Sequence, residues 1–143
     1  MTTKVAINGF GRIGRNVFRA SLESNADIEF VAINDITDSR TLAHLLKYDS
    51  IYGTLDGDVG FEENHISLSG KQVRVFSERD PGSIPWGDVG AQIVVESTGF
   101  FASREKAAAH LGDSVEKVII SAPAKGPDIT VCLGVNDDQY DSA

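Results

Sequence analysis

The chain has 143 residues, of which 41% are hydrophobic and 24% are charged, and this composition is typical of one globular domain rather than a disordered chain. Thirteen Lys and Arg residues against 21 Asp and Glu residues give a net charge of −8, which repels phosphate backbones and excludes general nucleic-acid binding. A single cysteine, the lack of an apolar run of roughly 20 residues and the lack of an apolar leader predict a cytoplasmic protein with no internal disulfide and no membrane partner.

The first half of the chain alternates between two hydrophobic periodicities. Short apolar runs rich in β-branched residues predict buried strands at residues 4–8 and 29–34. Apolar residues at helical spacing predict helices at residues 12–22 and 39–46. A strand, a helix and a second strand within about 30 residues form a βαβ unit, so the two strands are expected to be parallel.

The second half combines a hairpin with further buried strands. Residues 65–68 and 72–76 flank the turn-forming pair Ser69-Gly70 and predict an antiparallel hairpin. Ser103 is a suitable N-cap for a helix predicted at residues 103–111. Apolar runs predict strands at residues 93–95, 118–120 and 129–135. The predicted fold of this single domain, residues 1–143, is α/β: a doubly wound, mostly parallel sheet with helices on both faces and an antiparallel hairpin insertion.

The most specific local motif is GFGRIG, which follows the first predicted strand and opens the first predicted helix. Gly9 allows a tight turn, Gly11 lets backbone N–H groups approach a pyrophosphate, and Gly14 lets the helix pack closely on the strand. Arg12 and Arg15 support an anion site, because cations in a helix's first turn oppose the dipole by roughly 0.3–1 kcal/mol each unless an anion is bound. The alternative is a plain glycine-rich turn whose arginines pair with surface carboxylates.

Asp35 ends the second predicted strand and lies 21 residues after Gly14. A carboxylate at this place accepts hydrogen bonds from the adenosine ribose hydroxyls and repels a 2′-phosphate. The next basic residue is Arg40, so the pattern favours NAD over NADP. The alternative is that Asp35 only caps a turn.

Five segments together carry a resemblance to a known family. They read INGFGRIGR at 7–15, VAIND at 31–35, HLLKYD at 44–49, ESTGFF at 96–101 and VIISAPAK at 118–125. In order and spacing they are similar to the N-terminal half of phosphorylating glyceraldehyde-3-phosphate dehydrogenase. The related erythrose-4-phosphate dehydrogenases share much of the pattern but usually carry Glu where this chain has Asp35, and they remain a minor alternative.

The resemblance implies a Rossmann-type sheet and NAD as the cofactor. It implies that the pyrophosphate region is held by Asn8, Gly9, Gly11, Arg12, Ile13 and Gly14. Asp35 would take the adenosine ribose, and Arg79 would approach the adenine. Thr98 and Gly99 would line the cofactor, and Ser121 would lie near the nicotinamide. From the residues alone, the segment Ser-Thr-Gly at 97–99 is better interpreted as a helix-capping loop.

The resemblance also implies a reaction that this chain is not expected to perform by itself. In the family a cysteine thiolate attacks an aldehyde phosphate, hydride passes to NAD, and inorganic phosphate releases the thioester as an acyl phosphate. The segment with that cysteine, the catalytic histidine and the substrate-binding arginines belong to the family's second half. We therefore expect no catalytic residue here, NAD binding without catalysis, and a sugar-phosphate substrate and homotetramer only in the full-length enzyme.

The remaining chemistry-bearing side chains do not predict a second site. Cys132 lies inside the predicted strand 129–135 and is expected to be a small buried hydrophobic residue. His44, His65 and His110 lack the spacing of metal ligands and are expected to be structural or solvated. The competing class of function is a stand-alone nucleotide-binding or regulatory module, which the sequence that follows in the gene would distinguish from the enzyme.

Overall fold

A computed structural model describes residues 1–142. The strands are β1 (Thr3–Asn8), β2 (Ile28–Asn34), β3 (Tyr48–Asp49), β4 (Gly53–Thr54), β5 (Val59–Glu62), β6 (His65–Leu68), β7 (Lys71–Phe76), β8 (Ile93–Glu96) and β9 (Lys117–Ile120). The α-helices are α1 (Arg12–Ser24), α2 (Ser39–Lys47) and α3 (Arg104–Ala107). Short 3₁₀ turns lie at Pro81–Ser83, Trp86–Val89, Ala108–His110 and Asp137–Gln139. No helix in this part of the chain is both long enough and apolar enough to cross a membrane.

Within residues 1–142 the main sheet has seven strands in the order β5-β6-β7-β2-β1-β8-β9. The strands from β7 to β9 in this order pair in parallel. β6 and β7 pair antiparallel as the predicted hairpin, and β5 adds a further antiparallel strand at the edge. The predicted mostly parallel α/β sheet with a hairpin insertion is therefore confirmed. From β1 the chain crosses to β2 on one side, and after β7 it returns to form β8 on the other side of β1. Open parallel sheets bind ligands at such a reversal of strand order.

The register of the three central strands places polar residues side by side at one edge of the sheet. Asn8 at the end of β1 lies opposite Asn34 of β2 and opposite Glu96 of β8. All three side chains are buried. Because the carboxyl ends of parallel strands meet at one edge, the fold places these groups directly beneath the loops that follow the strands.

Alternating apolar residues build one core on each face of the sheet. On one face Ile7 packs in a cluster with Phe18 of α1 and Leu46 of α2. On the other face Ala6 and Trp86 belong to a second cluster, which the 3₁₀ turns rather than long helices cover. The sheet is thus buried from both sides, as its nearly continuous apolar strands predict.

The helix predicted at residues 103–111 is shorter than expected. Ser103 does cap it by accepting a hydrogen bond from the Lys106 backbone amide at 3.3 Å. The α-helical part ends after one turn at Ala107, and a 3₁₀ turn continues to His110. The His110 side chain at the end of this turn lies in the interior and is 3% exposed.

The prediction of a strand at residues 129–135 is wrong. Backbone groups of this segment bond to the side chain of Asn136 instead of to a neighbouring strand. That side chain accepts from the Cys132 amide at 2.7 Å and donates to the Thr130 carbonyl at 2.9 Å. Gly134 adopts a left-handed φ of 78°, which breaks an extended conformation. Cys132 is consequently exposed, and its predicted burial is also wrong.

Candidate cofactor-binding crevice

A crevice of about 410 Å³ opens at the carboxyl edge of the sheet, above the ends of β1, β2 and β8. It is lined by Asn8, Gly9, Gly11, Asn34, Asp35, Ile36, Glu78, Arg79, Ser97, Thr98, Phe100 and Phe101. One long wall comes from the glycine-rich turn before α1, and the facing residues come from the loops after β2, β7 and β8. The crevice therefore occupies the position at which open parallel sheets bind ligands.

The three motif glycines have different surroundings. Gly9 has φ +88°, and a Cβ on it would lie 2.7 Å from the Thr98 nitrogen. A Cβ on Gly14 would lie only 2.3 Å from the Gly9 carbonyl oxygen, so this glycine allows α1 to approach the end of β1. A Cβ on Gly11 would have no protein atom within 4 Å. Gly9 and Gly14 are thus required by the fold, whereas the space beside Gly11 is left open for a ligand.

The N-terminus of α1 provides donors to this space. Gly11 is the N-cap residue, and no side chain within residues 1–142 caps the helix. The amides of the first turn and the positive end of the dipole together favour an anion such as a diphosphate. This is the chemical environment that a pyrophosphate requires, and the residues present fit such a group.

The two arginines of the motif are held by protein groups. Arg12 Nη1 lies 3.0 Å from Asp49 Oδ2, and Arg15 Nη1 donates to the Phe10 carbonyl at 3.0 Å. Hydrogen bonds from the amides of Tyr52 and Ile51, with a further contribution from Arg12, lower the pKa of Asp49 from 3.8 to about 2. Burial lowers the pKa of the Arg15 guanidinium. The alternative interpretation of the motif, arginines paired with carboxylates, thus describes Arg12 correctly without closing the space beside Gly11.

Asp35 joins the glycine turn to the end of β2. Its Oδ2 accepts from the Phe10 amide at 2.8 Å, and its Oδ1 accepts from the Thr37 amide at 2.9 Å. A carboxylate oxygen can accept more than one hydrogen bond, so each oxygen keeps capacity for a ligand hydroxyl. Asp35 therefore caps a turn, as the alternative interpretation of the sequence predicts, and it also lines the crevice.

The loop after β8 is held from below by Glu96. Its Oε1 accepts from the Thr98 amide at 2.9 Å and from the Thr98 hydroxyl at 2.5 Å. Burial by itself raises the pKa of the Glu96 carboxyl, but the hydrogen bonds donated by His110, Thr98 and Asn8 together bring this pKa below its usual value. Glu96 is thus a buried carboxylate whose donors fix the crevice loop.

The sequence-predicted site residues divide into two groups. Those that line the crevice are Asn8, Gly9, Gly11, Asp35, Arg79 and Thr98. Those that lie near it without lining it are Arg12, Ile13, Gly14, Gly99 and Ser121. Gly14 acts through the packing of α1, and Gly99 follows Thr98 with a φ of +79°. Ser121 is exposed just beyond β9 and donates its amide to the Glu96 carbonyl at 3.0 Å.

The motifs alone did not identify several lining residues. Asn34, Ile36, Glu78, Ser97, Phe100 and Phe101 were not singled out for this role. Ile36 and Phe100 are 63% and 78% exposed, so they place apolar surface at the crevice. The available signal was their position in the loops that follow the predicted strands, where an apolar residue has no core to enter.

Comparison with known proteins agrees with this geometry. A family model described as "Glyceraldehyde 3-phosphate dehydrogenase, NAD binding domain" matches residues 3–104. The chain is 60% identical over 141 residues to glyceraldehyde-3-phosphate dehydrogenase 1 of Bacillus cereus and equally to glyceraldehyde-3-phosphate dehydrogenase of Geobacillus stearothermophilus, covering 99% of this chain and 42% of each relative. It is 58% identical over 137 residues to the Thermotoga maritima enzyme of that name, covering 95% of this chain and 41% of the relative. The chain thus spans less than half the length of these relatives.

The family match confirms the resemblance drawn from the five sequence segments. It covers the glycine turn, Asp35, Arg79 and the loop after β8, so all the residues that line the crevice lie within the matched range. The chain belongs to the family of glyceraldehyde-3-phosphate dehydrogenase NAD-binding domains.

Proposed function

We propose that the crevice binds NAD and that this chain is the cofactor-binding part of a phosphorylating glyceraldehyde-3-phosphate dehydrogenase. The observation that carries this proposal is the meeting, in one crevice, of the open space beside Gly11 and the carboxylate of Asp35. A dinucleotide needs both features, because its diphosphate requires uncrowded backbone donors and its adenosine ribose requires an acceptor.

The pyrophosphate is proposed to lie against the turn before α1. There Gly9 forms the tight turn, Gly11 leaves the backbone accessible, and the first-turn amides of Arg12 and Ile13 point from the positive end of the helix. Arg12 would add positive charge while it stays bound to Asp49. Asn8 would contribute from the crevice floor, and Gly14 would keep α1 close to β1.

The adenosine end is proposed to lie beside Asp35. Its carboxylate accepts from the ribose hydroxyls and repels a 2′-phosphate, which favours NAD over NADP. The exposed side chains of Ile36 and Phe100 provide apolar surface for the adenine, and the guanidinium of Arg79 provides a planar cation for it.

The nicotinamide end is proposed to follow the loop after β8. Thr98, held by Glu96, and Gly99 would line the cofactor there, with Ser121 at the far end of this loop region. When bound, NAD supplies the hydride acceptor for oxidation of an aldehyde. The residues of this chain bind and orient that acceptor and keep its adenosine end fixed.

The whole enzyme is proposed to convert glyceraldehyde 3-phosphate, inorganic phosphate and NAD to 1,3-bisphosphoglycerate and NADH in glycolysis. This proposal rests on membership of the family and on relatives named glyceraldehyde-3-phosphate dehydrogenase, which are more than twice as long as this chain. We propose that it does so in the cytoplasm as a homotetramer, and that residues 1–143 bind the cofactor while the rest of the enzyme supplies the catalytic cysteine and histidine.

Calorimetric titration of the chain with NAD and with NADP tests the cofactor. We expect NAD to bind at least tenfold more tightly, and Asp35→Asn to weaken NAD and to reduce the difference between the two cofactors. The matched control is Asp56→Asn, because Asp56 is exposed and lies outside the crevice. Equal affinities of the unmutated chain for NAD and NADP, or no binding of either, would refute the proposal.

A further inference from the structure

A branched chain of buried hydrogen bonds runs beneath the crevice. At one end the Trp86 indole N–H donates to His110 Nδ1 at 3.1 Å, and His110 Nε2 lies 2.8 Å from Glu96 Oε2. An indole nitrogen can only donate, so Nδ1 must accept and the ring carries its proton on Nε2. The neutral His110 ring therefore donates to Glu96, and this branch has a fixed direction.

The second branch is directed by backbone groups. The Glu78 amide donates to Asn34 Oδ1 at 2.8 Å, and Asn34 Nδ2 donates to the Glu78 carbonyl at 2.9 Å. These bonds fix the orientation of the Asn34 amide, whose Nδ2 also donates to Asn8 Oδ1 at 2.8 Å. Asn8 Nδ2 is thereby turned to Glu96 Oε2, at 2.6 Å. If either side-chain amide were flipped, its NH₂ group would face another N–H donor and its oxygen would face another acceptor.

Both branches end on Glu96, which also receives two bonds from Thr98. Its carboxylate accepts four hydrogen bonds, two on each oxygen, while its side chain is only 1% exposed. Neither lysine nor arginine pairs with it in the part of the chain that the structure describes. An acceptor with no proton to donate is the one group that satisfies all four donors.

We propose that Glu96 is a positioning residue for NAD, because it is the acceptor on which both buried branches converge and which holds Asn8 and Thr98 in the crevice wall. The inference rests on the proposed function of the crevice. Through Asn34 the same network holds the backbone of Glu78, which precedes Arg79. Glu96 thus joins three walls of the crevice without lining it.

The substitution Glu96→Gln tests the need for a pure acceptor. The new amide NH₂ would face either Asn8 and His110 or the Thr98 amide, and all of these groups donate. A buried donor left without an acceptor that displaces the crevice wall is expected to weaken NAD binding roughly 5- to 150-fold, which corresponds to about 1–3 kcal/mol. We expect NAD affinity to fall by that factor.

A second substitution distinguishes positioning from a general structural role. Trp86→Phe removes the donor that fixes the His110 ring, so the ring proton can move to Nδ1 and Nε2 can accept. In the double variant, the single lone pair of Nε2 would then accept from the side-chain amide introduced at position 96. A second core substitution that only damaged the fold would lower NAD affinity further. The hydrogen-bond network instead predicts that Trp86→Phe restores part of the NAD affinity lost in Glu96→Gln.

The experiment measures NAD affinity of the unmutated chain, Glu96→Gln and Trp86→Phe/Glu96→Gln by calorimetry, with the exposed Glu62→Gln as matched control. We expect the double variant to bind NAD more tightly than Glu96→Gln, by roughly threefold or more. Unchanged affinity in Glu96→Gln, or a double variant that binds no more tightly than Glu96→Gln, would overturn the inference. If the unmutated chain binds no NAD, the proposed function itself has failed.

A measurement on the cofactor-free chain covers the case in which the variants do not fold. Imidazole ¹⁵N chemical shifts identify the tautomer of His110 in the unmutated protein. We expect a neutral ring protonated on Nε2, with the Trp86 indole hydrogen protected from exchange. A ring protonated on Nδ1, or on both nitrogens, would reverse the direction of this branch and overturn the inference without reference to NAD.

Discussion

Substitution of Gly11 should change cofactor binding without changing the stability of the fold. An added Cβ meets no protein atom within 4 Å, yet it projects into the space assigned to the diphosphate. Gly14 in the same turn is the opposite case, because its Cβ would lie 2.3 Å from the Gly9 oxygen and 3.0 Å from Ile7 Cγ2. Replacing each by alanine therefore applies the same chemical change to a binding position and to a packing position.

The expected magnitudes follow from these surroundings. Gly11 is an N-cap with φ −73°, which alanine can adopt; alanine is a poorer N-cap by about 0.5–1 kcal/mol but restricts the unfolded chain by about 0.4–1 kcal/mol. These terms nearly cancel, so Gly11→Ala should change the free energy of unfolding by less than about 0.5 kcal/mol. For Gly14→Ala, overpacking of about 1–3 kcal/mol exceeds a helix-propensity gain of about 1 kcal/mol.

The assay combines urea denaturation with titration of NAD. Gly11→Ala should unfold at nearly the same urea concentration as the unmutated chain but bind NAD at least tenfold more weakly, a loss of about 1.4 kcal/mol or more. Gly14→Ala should unfold at a lower urea concentration. The reasoning would be refuted if Gly11→Ala bound NAD normally, or if it destabilised the chain as much as Gly14→Ala.

Three further predictions concern charge, exposure and association. The pKa of Asp49 is lowered from 3.8 to about 2, so this carboxylate stabilises the fold above pH 3.8, and its contribution is lost as the pH falls through about 2. Asp49→Asn should therefore reduce the pH dependence of stability in urea between these two values. An unchanged pH dependence would contradict this. Cys132 is exposed and should react with a thiol reagent without loss of NAD affinity, whereas reaction only after unfolding would show it to be buried. Ile119, Leu133 and Val135 are 54%, 88% and 79% exposed, so the chain should self-associate in light scattering and Leu133→Ser should reduce this; a monodisperse monomer would contradict it.

The sequence predicted the βαβ unit well because its signals are local. The helix predicted at 12–22 is observed at Arg12–Ser24, and the helix predicted at 39–46 is observed at Ser39–Lys47. Both begin where the local sequence directs them, after Gly11 and after Asp38, whose carboxylate accepts from the Thr41 amide. No distant residue was needed to place these boundaries.

The elements that were missed depend on neighbours. Strand β5, with the sequence VGFE, has no apolar run and is extended because β6 pairs with it. The segment 129–135 has the apolar pattern of a strand, but the side chain of Asn136 satisfies its backbone locally. Hydrophobic pattern gives the preference for extension, and only a pairing partner turns that preference into a strand.

Some residues of the site could also be predicted from local sequence, and others could not. Gly9, Gly11 and Asp35 were placed in one crevice from spacing alone, because the ends of adjacent parallel strands must meet. His110 was expected to be structural or solvated, and it is buried rather than solvated. Its bond to Trp86, 24 residues away, and the convergence on Glu96 could not be predicted, because they arise only when the strand ends and the short turns are packed together.

Trp86 is the only tryptophan of the chain, is 3% exposed, and packs edge-on against Phe76. Its fluorescence therefore comes from a single indole whose polar atom belongs to the network beneath the crevice. A change in that hydrogen bond alters the emission of this one chromophore, while surface events far from it leave the emission unchanged. The protein thus carries an unlabelled optical reporter for rearrangement of the crevice floor, suited to rapid-mixing kinetics as well as equilibrium titration.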